Sequence, residues 1–187
     1  GTVESRDGQK IDNTFFEGEP DYDLFRRDMT MVGYDLEHRI NRNWSALQKA
    51  RYLDSDVELK QVYAYGWASA TELNRYYSGG DEDLQALTVD NQIQGELTTG
   101  AVDHTVLVGV DYQRRENDVV WPSGAFPAID AFNPEYGADP SALYPPQRNL
   151  RKQKQTGVYL QDQLATGGWR LTLGGRHDWV EIENTNR

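Results

Sequence analysis

The chain of 187 residues is only 37% hydrophobic and carries a net charge of −11. It has no run of 18 apolar residues, which excludes a transmembrane helix but not strands that cross a bilayer by alternation. The surplus of acid argues against a nucleic-acid surface, which needs clustered Lys and Arg, and the absence of cysteine excludes a disulfide framework or a thiolate metal site.

Six segments alternate with period two, the pattern of a strand with one apolar and one polar face. The first ends in "MVGYDLEHRI", where Val32, Tyr34, Leu36 and Ile40 oppose Gly33, Asp35, Glu37 and Arg39. After the turn at Asn41–Asn43 the second places Trp44, Ala46, Ala50 and Tyr52 on its apolar side, broken by Gln48, and runs on through "DVELKQVYAYG". The third offers Leu87, Val89, Ile93 and Leu97 against Thr88, Asp90, Gln92 and Gln94. "TTGAVD" turns it into the fourth, with Val106, Val108, Val110 and Tyr112 in one row. The fifth carries Val158, Leu160 and Leu164 against Gln155, Gln161 and Gln163. "ATGG" then leads into the sixth, from Trp169 through Leu171 and Leu173 to Trp179.

The connectors differ in length by position. Those after the first, third and fifth segments are short, whereas roughly 67–83 and 118–149 read as long loops. Pro122, Pro127, Pro134, Pro140, Pro145 and Pro146 fall in the second of these, so no central strand is expected there. Short turns alternating with long loops form the up-and-down pattern of outer-membrane barrels, whose turns are periplasmic and whose loops are extracellular. Trp44 and Trp169 fit an inner aromatic girdle, and Tyr52, Tyr112 and Trp179 an outer one. A water-soluble β-sandwich with core aromatics is the competing fold. Polar faces rich in Gln, Asp, Thr and Gly on every strand favour the membrane barrel, with the Leu171/Leu173 side facing lipid. The expected fold is therefore all-β, an antiparallel up-and-down transmembrane β-barrel. Six strands leave two unpaired edges, so residues 1–187 are expected to form a partial barrel domain.

The motifs "KQKQTGVYLQDQ" (Lys152–Gln163) and "LTLGGRHDW" (Leu171–Trp179) resemble the middle of the barrel in TonB-dependent ferric-siderophore receptors, particularly the ferrichrome (hydroxamate) type. "MVGYDLEHRIN", "VYAYGWAS", "LTVDNQIQGELTTGAVDHTVLVGVDYQRREND" and "AFNPEYG" fit the same stretch in the same order, from about Arg26 onward. The resemblance implies six strands of a 22-stranded barrel closed by an N-terminal plug. It also implies uptake of a ferric siderophore in the bacterial outer membrane, energised by the TonB system through that plug. Neither plug nor TonB motif is recognised in these residues. Related receptors take other siderophore classes, cobalamin or haem. A non-transport barrel used for adhesion, or for docking phage and bacteriocins on its outer loops, is the alternative from another class.

Candidate site residues follow from the resemblance and from chemistry. Tyr63 and Tyr65 match a Tyr-x-Tyr-Gly element that lines the siderophore pocket in this family, and odd parity sends both to the lumen unless a bulge intervenes. A tyrosine ring covers the organic shell of a chelate while its hydroxyl bonds a hydroxamate or carbonyl oxygen. Trp121 sits where the family places an aromatic at the start of an outer loop, with Pro122 departing from the pattern. Packing within the loops is the plainer role for Trp67, Tyr76, Tyr77, Phe126, Phe132, Tyr136 and Tyr144. Arg114, Arg115, Arg148, Arg151, Lys152 and Lys154 gather near the outer ends of the fourth and fifth strands. They suit a rim facing lipopolysaccharide phosphates as well as an ordinary solvated rim. His38, His104 and His177 are too scattered for a metal site. No catalytic constellation is recognised, and no cofactor is expected, since iron would arrive already chelated.

Overall fold

The computed structural model describes residues 4–187, and among them every regular element is a strand. Six strands, β1 (Leu24–Arg39), β2 (Trp44–Trp67), β3 (Glu72–Thr99), β4 (Val102–Asp130), β5 (Ala142–Thr166) and β6 (Trp169–Asn186), form one antiparallel sheet in sequence order. At the inner end the strands are joined by tight turns. Gly100 and Gly167 each take the first central position of a two-residue turn with positive φ (64° and 53°), and the following residue does not, which is the II′ arrangement that suits strand twist. The first turn is closed differently: Asn41 Oδ1 accepts hydrogen bonds from the backbone N–H groups of Asn43 and Trp44, at 2.9 and 3.0 Å.

Register keeps apolar positions together from β2 to β5. Ala46 pairs with Ile93, Ile93 with Val108 and Val108 with Leu160. Above this row, Val32 pairs with Tyr52 and Tyr52 with Leu87, while Val89 pairs with Tyr112. Among the described residues nothing covers these rows: Val108 is 45% exposed, Leu160 53% and Leu171 55%. An apolar face this broad, rimmed by Trp44 and Trp169 below and by Tyr52, Tyr112 and Trp179 above, suits the hydrocarbon of a bilayer. Trp44 lies flat over Gly95, where an added Cβ would fall 2.3 Å from the indole.

The expected long loops are strand for most of their length. β3 begins at Glu72, β4 continues to Asp130 and β5 begins at Ala142, leaving only residues 68–71 and 131–141 as outer connectors. The prolines are accommodated because the ladder breaks where they fall. The β4–β5 register shifts between Trp121 and Ser123, opposite Pro145 and Pro146. The β3–β4 register shifts between Leu73 and Arg75, opposite Pro127. A proline removes one ladder donor, and at a bulge that donor has no partner to lose. With 24–29 residues in β2 to β5 and about 9–11 needed to cross a bilayer, more than half of each stands outside it.

The core lies in this outer extension, on the same side as the lipid-facing row. Residues 4–23 and the 131–141 connector pack there, burying Ile11, Leu73, Ile129 and Ala131 in one cluster and Val62, Tyr77 and Phe126 in another. Between the clusters sits a buried ion pair, Glu19 with Arg75, 3.2 Å apart and each side chain 1% exposed. Arg75 also donates to the carbonyls of Gly18 (2.9 Å) and Pro127 (2.8 Å) and lies 4.9 Å over the Phe126 ring, while Glu19 accepts the Gly137 N–H at 2.5 Å. Four stretches of chain, residues 18–19, β3, β4 and the 131–141 connector, are thereby fastened at one point.

Candidate ligand-binding face

Opposite the lipid side, alternation sends a second set of residues to the lumen. In the outer extension this face carries Tyr63 on β2, Tyr76 on β3, Trp121 on β4 and Tyr144 on β5. Tyr63 pairs directly with Tyr76, their ring centroids 5.8 Å apart. Tyr76 and Tyr144 are two strands apart, yet their centroids lie 6.3 Å from each other. They meet over β4, which sets Ala125 opposite Tyr76 and Ser123 opposite Tyr144. Adjacent strands are ~4.8 Å apart, so rings on β3 and β5 approach this closely only by leaning over a small-residue floor. Trp121 is four positions further down β4, roughly 13 Å away at ~3.3 Å per residue, with its indole beside Gly80 and Leu59.

Tyr65 is placed differently from Tyr63. The β2–β3 register shifts between Ala64 and Gly66, leaving Tyr65 as the extra residue of a bulge, without a partner on β3 and 66% exposed. The parity that carries Tyr63 to the lumen therefore stops one residue short of Tyr65. Beyond the bulge, Trp67 pairs with Leu73 and joins the buried cluster. Tyr76 and Tyr144 are members of this face that sequence reasoning assigned to loop packing. The available signal was register, since extending the Trp44–Gly95 pairing along β2 leads to Tyr63–Tyr76.

The face is also distinctive for its lack of charge. No acid or base occurs at residues 61–65, 76–80, 121–125 or 143–147. On the other side of the same strands stand Glu58, Lys60 and Asp81. The Lys60 ammonium beside Glu58 holds that carboxyl below its usual range. Burial, with Tyr22 alongside, raises the Tyr77 phenol to about 12.

Of the basic residues near the outer rim, Arg114 pairs with Lys154 on the outward side, and Lys152 pairs with Glu116 there. Glu116 lies 3.5 Å from Arg114 and 3.4 Å from Lys152. Arg115 and Arg151 alternate onto the lumen side, opposite Gln153 and Asn117. The two faces thus divide the cluster. Arg148, opposite Val120, follows Arg114. Further along the outward side, Asp28, Asp56, Asp83 and Asp118 oppose one another in a single row across β1 to β4. The hydrogen bond with Asp56 raises the Asp83 carboxyl, as close like charges do.

Lower in the lumen a polar belt crosses all six strands: Asp35, Lys49, Asp90, Asp111, Gly157 and Asp178 are successive pairing partners. Two long side chains from the adjoining row lie across it. Tyr159 passes over Gly109 to donate to Asp90 Oδ1 at 2.6 Å, and Arg176 passes over Gly157 to Asp111 (2.6 and 3.0 Å) and to Asp178 (2.6 Å). A Cβ at Gly109 would fall 2.1 Å from the Tyr159 ring, and one at Gly157 2.2 Å from the Arg176 guanidinium. Glycine is needed here for space.

His104 Nδ1 lies 2.8 Å from Asp162 Oδ2 on the lipid side near the inner turns, and His177 packs edge-on against Trp179. The histidines do not converge.

Comparison with known proteins agrees with this architecture. The family described as TonB dependent receptor-like, beta-barrel matches residues 2–187. The ferrioxamine B receptor of Salmonella typhimurium is 52% identical over the whole chain, which spans 27% of that protein. The ferrichrome outer membrane transporter/phage receptor of Escherichia coli is 35% identical, again over the whole chain and 28% of the relative. The chain therefore spans about a quarter of the length of these relatives. Among solved structures, the ferric-catecholate import receptor Fiu of E. coli superposes with a TM-score of 0.80 at 20% identity, over 95% of this chain and 27% of that one. A single antiparallel sheet with one exposed, mostly apolar face and a polar lumen face is the wall of an outer-membrane barrel, and the chain belongs to the TonB-dependent receptor β-barrel family.

Proposed function

We propose that this chain is part of the wall of an outer-membrane receptor that captures a ferric hydroxamate siderophore and imports it with energy from the TonB system. The observation that carries the reading is the uncharged, tyrosine-rich lumen face at the outer end of β2 to β5. A hydroxamate chelate presents a compact organic shell with carbonyl and hydroxamate oxygens at its surface. Phenol rings cover such a shell while their hydroxyls donate to its oxygens. A polyanionic chelate would instead call for Arg or Lys on the face that meets it. The names of the relatives, receptors for ferrioxamine and ferrichrome, support the same class. Iron enters as cargo within its chelator, and the protein holds the complex by its organic surface. Of the residues carried over from the family's pocket, Tyr63 and Trp121 stand on this face, whereas Tyr65 is displaced from it by the β2 bulge. Arg114, Lys152 and Lys154 face outward and suit the phosphates of lipopolysaccharide.

The test is Tyr63→Ala in the receptor carrying this chain, with affinity for a ferric trihydroxamate measured in detergent. Loss of a ring contact and a hydrogen bond lowers affinity by about tenfold. Unchanged affinity removes this face from the binding site.

A further inference from the structure

Tyr76 and Tyr144 lie 68 positions apart in sequence, and neither touches the buried clusters that hold the outer connectors together. Both stand on the lumen side, and Tyr144 is 47% exposed although its ring reaches across a whole strand toward Tyr76. Tyr63, Tyr76 and Tyr144 thus make one continuous series, with centroid steps of 5.8 and 6.3 Å and interplanar angles of 59° and 34°. The series runs perpendicular to the strands. It crosses β4 where Ser123 and Ala125 are small enough to leave the rings room. Rings packed only to fill a core are covered on both sides. These are covered by the sheet on one side and open to the lumen on the other.

We propose that Tyr76 and Tyr144 are ligand-contacting, specificity-setting residues that extend the Tyr63 contact into a three-ring aromatic ladder, a reading that rests on the function proposed above. The ladder, rather than the Tyr63/Tyr65 pair, is the surface on which the organic shell of the chelate lies. Tyr65, displaced by the bulge, is outside it. Because the floor and flanks are uncharged, the ladder selects a neutral or weakly charged chelate over a polyanionic one.

The experiment compares Tyr63→Ala, Tyr65→Ala, Tyr76→Ala, Tyr144→Ala and Tyr144→Phe in the receptor carrying this chain. Each is titrated with a ferric linear trihydroxamate and with a ferric tricatecholate. Tyr76→Ala and Tyr144→Ala are each expected to weaken trihydroxamate binding about three- to tenfold, the range for an aromatic contact, with Tyr144→Phe retaining most of the affinity and Tyr65→Ala nearly all of it. A further variant, Ser123→Lys, plants a positive charge beneath the ladder and is expected to shift preference toward the tricatecholate by at least tenfold. If Tyr63→Ala weakens binding while Tyr76→Ala and Tyr144→Ala do not, the ladder is overturned and the receptor reading stands. If none of the three matters, the receptor reading of this face fails as well. An unchanged preference in Ser123→Lys overturns the selectivity argument even where the alanine variants fold poorly.

Discussion

Replacing Glu19 by alanine should release the outer lobe of this wall. Glu19 and Arg75 are each 1% exposed at the side chain, and Arg75 keeps its remaining partners, the carbonyls of Gly18 and Pro127, after Glu19 is cut back. The guanidinium would then be buried without a counter-charge, and the Gly137 N–H would lose its acceptor. Removing one member of a buried pair typically costs about 3–5 kcal/mol, since the other charge stays desolvated. At about 1.4 kcal/mol per factor of ten, local opening should become roughly two to three and a half powers of ten more frequent. Hydrogen exchange read by mass spectrometry on the receptor carrying this chain provides the assay. Amides of residues 73–77 and 131–141 should exchange faster by that factor, while those of the lipid-facing rows should not change. Converting both members to methionine should recover much of the protection, because the stranded charge is gone. An exposed pair, Arg26 with Glu58 at 2.7 Å, serves as control, and Arg26→Ala should leave exchange as it was. Unaltered exchange at Gly137 and Arg75 in Glu19→Ala would refute the reasoning.

Two further expectations concern the faces. Val108→Arg puts a charge on the lipid side and should cost about 2–4 kcal/mol near the bilayer midplane, whereas Gln161→Arg on the lumen side of the neighbouring strand should cost little; equal losses in detergent-to-bilayer refolding would overturn the face assignment. Burial raises the Tyr77 phenol from 10 to about 12, so the folded lobe favours the neutral form. That contribution is complete below pH 10 and lost as pH rises from 10 to about 12, because the opened chain ionises first. Alkaline loosening of residues 73–77 should therefore be smaller in Tyr77→Phe, and the same loosening in that variant would clear Tyr77 of responsibility.

The membrane-crossing half of the wall was legible because one rule governs it. Period-two alternation named the apolar rows, the glycine turns fixed their ends, and Val108 and Leu171 stand uncovered on the face so assigned. Above the bilayer the rule weakens. There the outward side meets residues 4–23 in place of lipid, so Tyr77 and Phe126 point where polar residues would otherwise be expected. Prolines also suggest loop while sitting at bulges that tolerate them. A separate bulge, at Tyr65, interrupts the parity that carries Tyr63 to the lumen. Arg114 and Arg115 are consecutive in one strand and so take opposite faces, a separation that alternation alone supplies. Tyr144 was out of reach for sequence reasoning, because its approach to Tyr76 depends on the smallness of Ala125 and Ser123 on the strand between them.

The glycines beneath Tyr159 and Arg176 have a consequence for passage. By yielding their surface to Tyr159 and Arg176, Gly109 and Gly157 let a phenol and a guanidinium lie down along the wall. A methyl at either position would tip a phenol or a guanidinium upright into the bore. The profile of this part of the wall is thus set by two absent side chains, and, on the function proposed above, receptors altered there should still hold their cargo at the mouth yet let it through more slowly.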